Sequence, residues 1–269
     1  MSRPENTQVR PVCLTIAGLD PSGGAGIIAD IKTFSAIGCF AAAAVSSVTF
    51  QNTTGVFGAV HQTRESVRRQ IVPVIDDFDL AAVKTGMLPT LEIIDEIARI
   101  IKEHGLKNIV VDPVVRSTSG FDLIDGEALS ALIHSLFPLA DLVTPNIPEA
   151  ERITKVPIES SEHIQRAGAM MLSLGAKNVL IKGGHFPSGK REPSARDYLF
   201  SGDGFEIFER EFIDTDATHG TGCVLSAAIA ANLALGSSLS EAIRISKDFV
   251  TEAIRTAPAL GKGNSPINI

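Results

Sequence analysis

The sequence is short of the features that mark several protein classes. Its six histidines, His61, His104, His134, His163, His185 and His219, include no i, i+4 pair and none is flanked by cysteine. Tight transition-metal sites are built from such clusters, so zinc chemistry is not expected. The three cysteines, Cys13, Cys39 and Cys223, give neither an even disulfide set nor a CxxC pair, which fits a reducing cytoplasm. Positive charge is also scarce: 24 Lys and Arg stand against 31 Asp and Glu, for a net charge of −7. A broad basic surface is therefore missing, which argues against nucleic acid or acidic lipid as a partner.

Long apolar runs are missing too. The start, "MSRPENTQVR", has no apolar core of a secretion signal, and the stretch "FAAAAVSSVTF" is too short for a membrane span. Fixed-period repeats, low-complexity tracts and long linkers are absent, the loosest segment being the polar "HFPSGKREPSARD". These 269 residues read as a polar N-terminal extension, 1–10, and one domain, 11–269.

What is present is an alternation. Apolar runs of strand length, "VCLTIAG", "LAAVKTG", "NIVVDPVV", "DLVTP" and "NVLIKGG", recur between segments of helical spacing. In "TLEIIDEIARIIKEHG", Ile93, Ile94, Ile97, Ile100 and Ile101 share one face and the charges take the other, with Gly105 as the stop. The pattern predicts an α/β fold with a mostly parallel central sheet, helices on both faces and ligands at the carboxyl ends of the strands. "RDYLFSGDGFEIFERE" departs from it and predicts an antiparallel edge hairpin around "GDG".

Two glycine-rich stretches precede apolar helices. "TIAGLDPSGGAGIIADIKTFSAIG" contains Gly24-Ala25-Gly26-Ile27-Ile28-Ala29, a formal GxGxxA, but six residues separate it from the strand and no ribose-binding acid follows at the expected distance. It also lacks the Lys-Ser or Lys-Thr of a Walker loop, and tight strand–helix packing alone would explain its glycines. "DATHGTGCVLSAAIAANLALG" opens a second helix, where unpaired amides and close backbone approach suit an anion. Thr221, Gly222 and Cys223 would present N–H groups to a transferred phosphoryl, and a helix entrance would lower the Cys223 thiol, making it a candidate base. A small buried residue is the alternative for Cys223.

Gln51 and Asn52 end an apolar strand, and a side-chain amide can pair bidentately with an aminopyrimidine edge; both could equally cap a turn. Asn146 and Glu149 have capping-box spacing, and Glu149 could also hold a water of Mg²⁺, with Asp112 in "VVDPVV" as companion.

In order and approximate spacing, "TIAGLDPSGGAGIIADIKTFSAIG", "FQNTTGV", "KTGML", "DPVV", "TPNIPEAE", "IKGGH" and "THGTGCVLSAA" resemble the hydroxymethylpyrimidine/phosphomethylpyrimidine kinases of thiamine biosynthesis, in the ribokinase-like superfamily. The likeness spans about Leu14 to Pro266. It implies a three-layer α/β/α fold that moves the γ-phosphate of ATP, with Mg²⁺, first to 4-amino-5-hydroxymethyl-2-methylpyrimidine and then to its monophosphate. It implies that Gln51 reads the pyrimidine, with Gly18, Asp30, Met87 and Val114 near the ring. Gly220, Thr221 and Gly222 would form the anion hole and Cys223 the base. Lys182, Asn146, Thr221 and Lys247 would serve the nucleotide, and Asp112 and Glu149 the metal. A homodimer is also implied. Thr118 in "DPVVRSTSG" stands where many relatives carry lysine, a contact that Arg116 or Lys182 would have to replace. Pyridoxal kinases of the same lineage share the Gly-Thr-Gly-Cys loop and form the rival function; a catalytically silent pyrimidine- or phosphate-binding protein is the rival from another class.

Overall fold

The computed structural model describes residues 10–116, 120, 122–183 and 194–269. Thr118, His185 and most of the polar loop before the hairpin lie outside the described residues. Among the described residues nine strands form one sheet in the order β3-β2-β1-β4-β5-β6-β7-β8-β9. Its centre is parallel: β1 (Val12–Leu19), β2 (Phe40–Asn52), β4 (Leu80–Thr85), β5 (Ile109–Val111), β6 (Leu142–Val143) and β7 (Asn178–Gly183). The expected hairpin is there as β8 (Ser194–Ser201) and β9 (Gly204–Glu211), antiparallel at one edge.

The other edge was not expected. β3 (Gly55–His61) folds back antiparallel on β2 across a turn at Thr53 and Thr54. Its two glycines weaken the alternation by which a strand is usually read, so its pairing depends on β2 rather than on its own pattern.

Two apolar layers explain why the central strands read as continuous hydrophobic runs. Leu14, Ile16, Val83, Ile109, Val111, Val143, Val179 and Ile181 face one layer. Cys13, Ala82, Val110, Leu142 and Leu180, their neighbours in sequence, face the other. Successive side chains leave opposite faces of a strand, so a sheet covered on both sides needs apolar residues at every position. On the first face lie α2 (Arg64–Asp77), α3 (Leu91–His104), α4 (Gly126–Ala131), α5 (Ile147–Thr154) and α6 (Ser161–Ser173). On the second lie α1 (Gly26–Ile37), α7 (Thr221–Ala234) and α8 (Leu239–Arg255).

α3 starts at Thr90, whose hydroxyl accepts from Ile93 N, and stops at Gly105 in the left-handed region. Its isoleucines are buried as expected, but so is Glu96. Arg68 and Arg99 meet that carboxylate at 2.8 and 2.9 Å, which is how a charge is tolerated between α2 and α3. α7 is buried without a break from Val224 to Asn232, as a helix apolar on all sides must be. No helix among the described residues is long and apolar enough to cross a membrane.

Candidate active site

Over the carboxyl ends of β1, β4, β5 and β7 opens a cleft of about 1050 Å³. One wall is the entrance of α7. Gly220, its N-cap, has φ +86°, and a Cβ there would lie 1.8 Å from Gly24 O, so only glycine fits. No side chain caps this helix and no acid occupies its first turn. Thr221 spends both donors on Thr218 O, its amide at 3.3 Å and its hydroxyl at 3.1 Å. Among the described residues the amides of Gly222 and Cys223 have no acceptor, so these two, rather than all three, are open to an anion.

The cation for this entrance comes from β7. Lys182 Nζ lies 3.1 Å from where a Gly222 Cβ would stand, and 2.8 Å from Asp112 Oδ1. Thr144 and Ser226 hydroxyls also donate to Asp112, at 3.1 and 3.2 Å. Asn146 and Glu149 form the capping box of α5, each backbone amide donating 2.8 Å to the other's side chain. Burial pushes the Glu149 carboxyl up to about 7, with Lys182 opposing and Asp112 reinforcing the shift. Lys247 is committed to Asp197 Oδ2 at 2.6 Å, and Asp197 Oδ1 accepts from Gly183 N at 3.1 Å, which ties α8 to the base of the hairpin.

At the opposite end the register of β2 against β3 shifts between Phe50 and Gln51, an irregularity of the kind that re-aims a side chain. Gln51 lines the cleft while Phe50 is exposed. Gly18 lacks the Cβ that would crowd Met87 Sδ at 2.9 Å, and Ser46 Oγ fixes the Met87 carbonyl at 2.6 Å. Val114 also lines the cleft.

The structure thus brings Gly18, Gln51, Met87, Asp112, Val114, Asn146, Glu149, Lys182, Gly220, Thr221, Gly222, Cys223 and Lys247 to one cleft. Two expectations need correction. Asp30 does not line the cleft: it is fully buried beneath the floor, with Lys84 Nζ at 2.8 and 2.9 Å from its oxygens and Thr15 Oγ1 at 2.6 Å. The Cys223 thiol is not lowered by its helix. Burial pushes it up to about 11, and the Lys84 ammonium and the Gly26 amide only partly offset this.

Three residues of the site were missed. Lys84 had a visible signal, a single charge inside the buried strand "LAAVKTG". Asp20 and His219 had none, being 199 residues apart, yet their side chains meet at 2.8 Å. Asp20 also accepts from Ser22 N, Ser22 Oγ and Ala25 N at 2.8, 2.7 and 2.9 Å, so one carboxylate closes the first glycine loop and ties it to the second. Burial alone would raise its carboxyl, but His219 and Ser22 outweigh that and hold it down at about 2.

A nine-stranded, centrally parallel sheet with an uncapped glycine-rich helix entrance over its carboxyl ends defines a ribokinase-like α/β protein. The chain belongs to the phosphomethylpyrimidine kinase family, whose model matches residues 20–268. It is 42% identical to the hydroxymethylpyrimidine/phosphomethylpyrimidine kinase of Staphylococcus aureus over 258 residues, 96% of this chain and 92% of that one. It is 45% identical to the thiamine biosynthesis bifunctional protein ThiED of Geobacter sulfurreducens, covering 95% of this chain and 51% of that protein. The crystal structure of the phosphomethylpyrimidine kinase of Clostridium difficile superposes with a TM-score of 0.80 at 44% identity, over 91% of this chain and 100% of that one. An ADP complex of Bacillus subtilis pyridoxal kinase superposes with a TM-score of 0.87 at 37% identity, over 97% of each chain.

Proposed function

We propose that this chain is an ATP-dependent kinase that phosphorylates 4-amino-5-hydroxymethyl-2-methylpyrimidine and then its monophosphate, for thiamine biosynthesis. One observation carries the reading: a single cleft is lined by the side-chain amide of Gln51, from β2, and by an uncapped helix entrance beside Lys182, from β7. Gln51 pairs with the ring edge, between the flat wall of Gly18 and Met87 and the apolar Val114. Gly222 and Cys223 amides and the Lys182 ammonium receive the transferring phosphoryl, where positioning and electrostatics do most of the work. The thiolate form of Cys223, the minor form at neutral pH because burial pushes the thiol up to about 11, takes the proton of the acceptor hydroxyl as the new P–O bond forms and the P–O bond to ADP breaks.

Among the described residues no three His, Cys, Asp or Glu side chains group into a metal cage. Asp112 and the buried Glu149 still suit Mg²⁺ arriving with the nucleotide, because both carboxylates are held by other donors and would take its water rather than the ion. Mg²⁺ would there neutralise charge on the phosphates. A homodimer formed at the β3 edge fits the exposure of Phe50, Phe57 and Val60, and sedimentation would test it.

Pyridoxal kinase is the second reading, favoured by the structural likeness to the Bacillus subtilis enzyme. A coupled assay with the pyrimidine, its monophosphate and pyridoxal side by side separates the two. Turnover of both pyrimidines supports the proposal, and efficient turnover of pyridoxal alone overturns it. Gln51→Leu should raise KM for the pyrimidine by about 1–3 kcal/mol in binding and leave KM for ATP unchanged. Equal weakening of both would move Gln51 out of ring recognition.

A further inference from the structure

After α8 the chain returns to the cleft, and residues 260–268 form a strap anchored on three elements. The first anchor is the turn between β2 and β3. Thr53 Oγ1 accepts from Lys262 N and Gly263 N at 3.2 and 3.3 Å, and Thr53 O accepts from Asn264 N at 2.9 Å. Glycine at 261 and 263 permits this approach, since a Cβ would stand 2.3 Å from Thr53 Oγ1 in one case and 2.1 Å from Thr53 O in the other. The second anchor is the entrance of α7. Ser265 O accepts from His219 N at 3.2 Å, and His219, one residue before Gly220, forms a bridge with Pro266. The third is the end of α8, where Asn268 N donates to Ala253 O at 3.0 Å and Ile267 is buried in the second apolar layer.

Asn264 lies between the first two anchors and is half-buried. It lines the cleft, as does Gln51, two residues before Thr53. Each residue from 262 to 265 is fixed by a hydrogen bond, Ser265 twice, because its hydroxyl also accepts from Leu260 N at 2.9 Å. The Asn264 side chain takes no part in this. Among the described residues its amide has no hydrogen-bond partner, although asparagine in a turn ordinarily bonds the backbone two residues on. A side-chain amide carries two donors and an acceptor, and one held unspent on the wall of a cleft suits a ligand that offers both.

We propose that Asn264 is a second amide that reads the acceptor substrate, hydrogen-bonding the polar substituents of a small nitrogen heteroaromatic alongside Gln51, and that Thr53 is the positioning residue that sets it there. The strap thereby joins the turn after Gln51 to the loop before Gly220, so acceptor recognition and the phosphoryl site share one segment of chain. The inference rests on the kinase reading for the identity of the acceptor and deepens it by naming a residue that determines acceptor specificity.

The test is calorimetric titration of the whole protein with 4-amino-5-hydroxymethyl-2-methylpyrimidine, pyridoxal and ADP as separate probes, so that binding is read without turnover. Wild type shows which acceptor the cleft takes, and the variants show what Asn264 does. For whichever acceptor wild type binds, N264A should raise Kd about tenfold and leave Kd for ADP unchanged. T53V removes the hydroxyl that holds two strap amides and should raise the same Kd about threefold, whereas T53S keeps that hydroxyl and should bind like wild type. A merely structural strap gives no such split between acceptor and ADP. An acceptor Kd unchanged in N264A, or an equal loss of acceptor and ADP binding, would overturn the proposal and leave the kinase reading standing. Binding of pyridoxal alone, weakened by N264A, would overturn the pyrimidine assignment and support the role of Asn264. A wild type that binds neither acceptor would overturn both. Should T53V fail to fold, N264A, whose side chain anchors nothing, carries the test by itself.

Discussion

The two glycine-rich helix entrances look alike in sequence and do different work. The loop before α1 is clasped by an acid: Asp20 accepts three bonds from Ser22 and Ala25, although the helix itself, like α7, has no side-chain cap. Its glycines are there for close approach, Gly26 having φ +57° and a Cβ position 2.2 Å from Gly18 O. What distinguishes the entrance of α7 is its cation: Lys182 Nζ stands 3.1 Å from where a Gly222 Cβ would lie, beside the Gly222 and Cys223 amides. A carboxylate bonded within a glycine loop makes it a structural clasp, and an ammonium beside a helix entrance makes it an anion site. The clasp nevertheless serves the site, because Asp20 grips His219 and the Gly26 amide points at Cys223.

The sharpest way to break this contrast is at Cys223. Replacing it by serine should lower kcat about 10²–10⁴-fold with KM for both substrates unchanged, because the open amides remain while the proton acceptor becomes a weaker base. A serine variant with wild-type kcat would reduce α7 to an anion hole with a packing residue.

Next in size is the clasp. The Asp20 carboxyl is held at about 2 against an ordinary 3.8, so its contribution is present above about pH 4 and fades as pH falls towards 2. Asp20→Asn should cost on the order of 2 kcal/mol at pH 7, and urea melts of variant and wild type should converge as the pH approaches 2. A gap that stays constant with pH would mean the carboxylate's charge is not what closes the loop.

The smallest effect is expected from Gly222→Ala. Its Cβ would stand 3.1 Å from Lys182 Nζ and push the ammonium off the entrance, lowering kcat about tenfold. Thermal stability should hold or rise by up to about 1 kcal/mol, since alanine restricts the unfolded chain. Gly220→Ala is the contrasting control: with φ +86° and a Cβ 1.8 Å from Gly24 O, it should lose stability and activity together. If both variants behaved alike, the division between an open amide and a left-handed cap glycine would fail.

Much of this was legible in the residues. The isoleucine stripe of α3, the strand runs, the "GDG" hairpin and the Asn146–Glu149 cap are local patterns, and local patterns write themselves into sequence. What was misread depended on neighbours from elsewhere. Cys223 has the helix position that lowers a thiol, but Lys84, Asp30 and burial come from β4, α1 and the packed floor. Glu96 has the spacing of a surface charge, but Arg68 from α2 draws it inward.

The sequence by itself determined the alternation of elements, the two glycine entrances and the family to which they belong, because each rests on short-range periodicity and turn chemistry. Only the tertiary structure decided which entrance receives Lys182, that Asp30 lies under the floor rather than lining the cleft, and that Asp20 meets His219. Those outcomes depend on charges and donors distant in sequence, and their mutual satisfaction exists only once the sheet has brought them within hydrogen-bond reach.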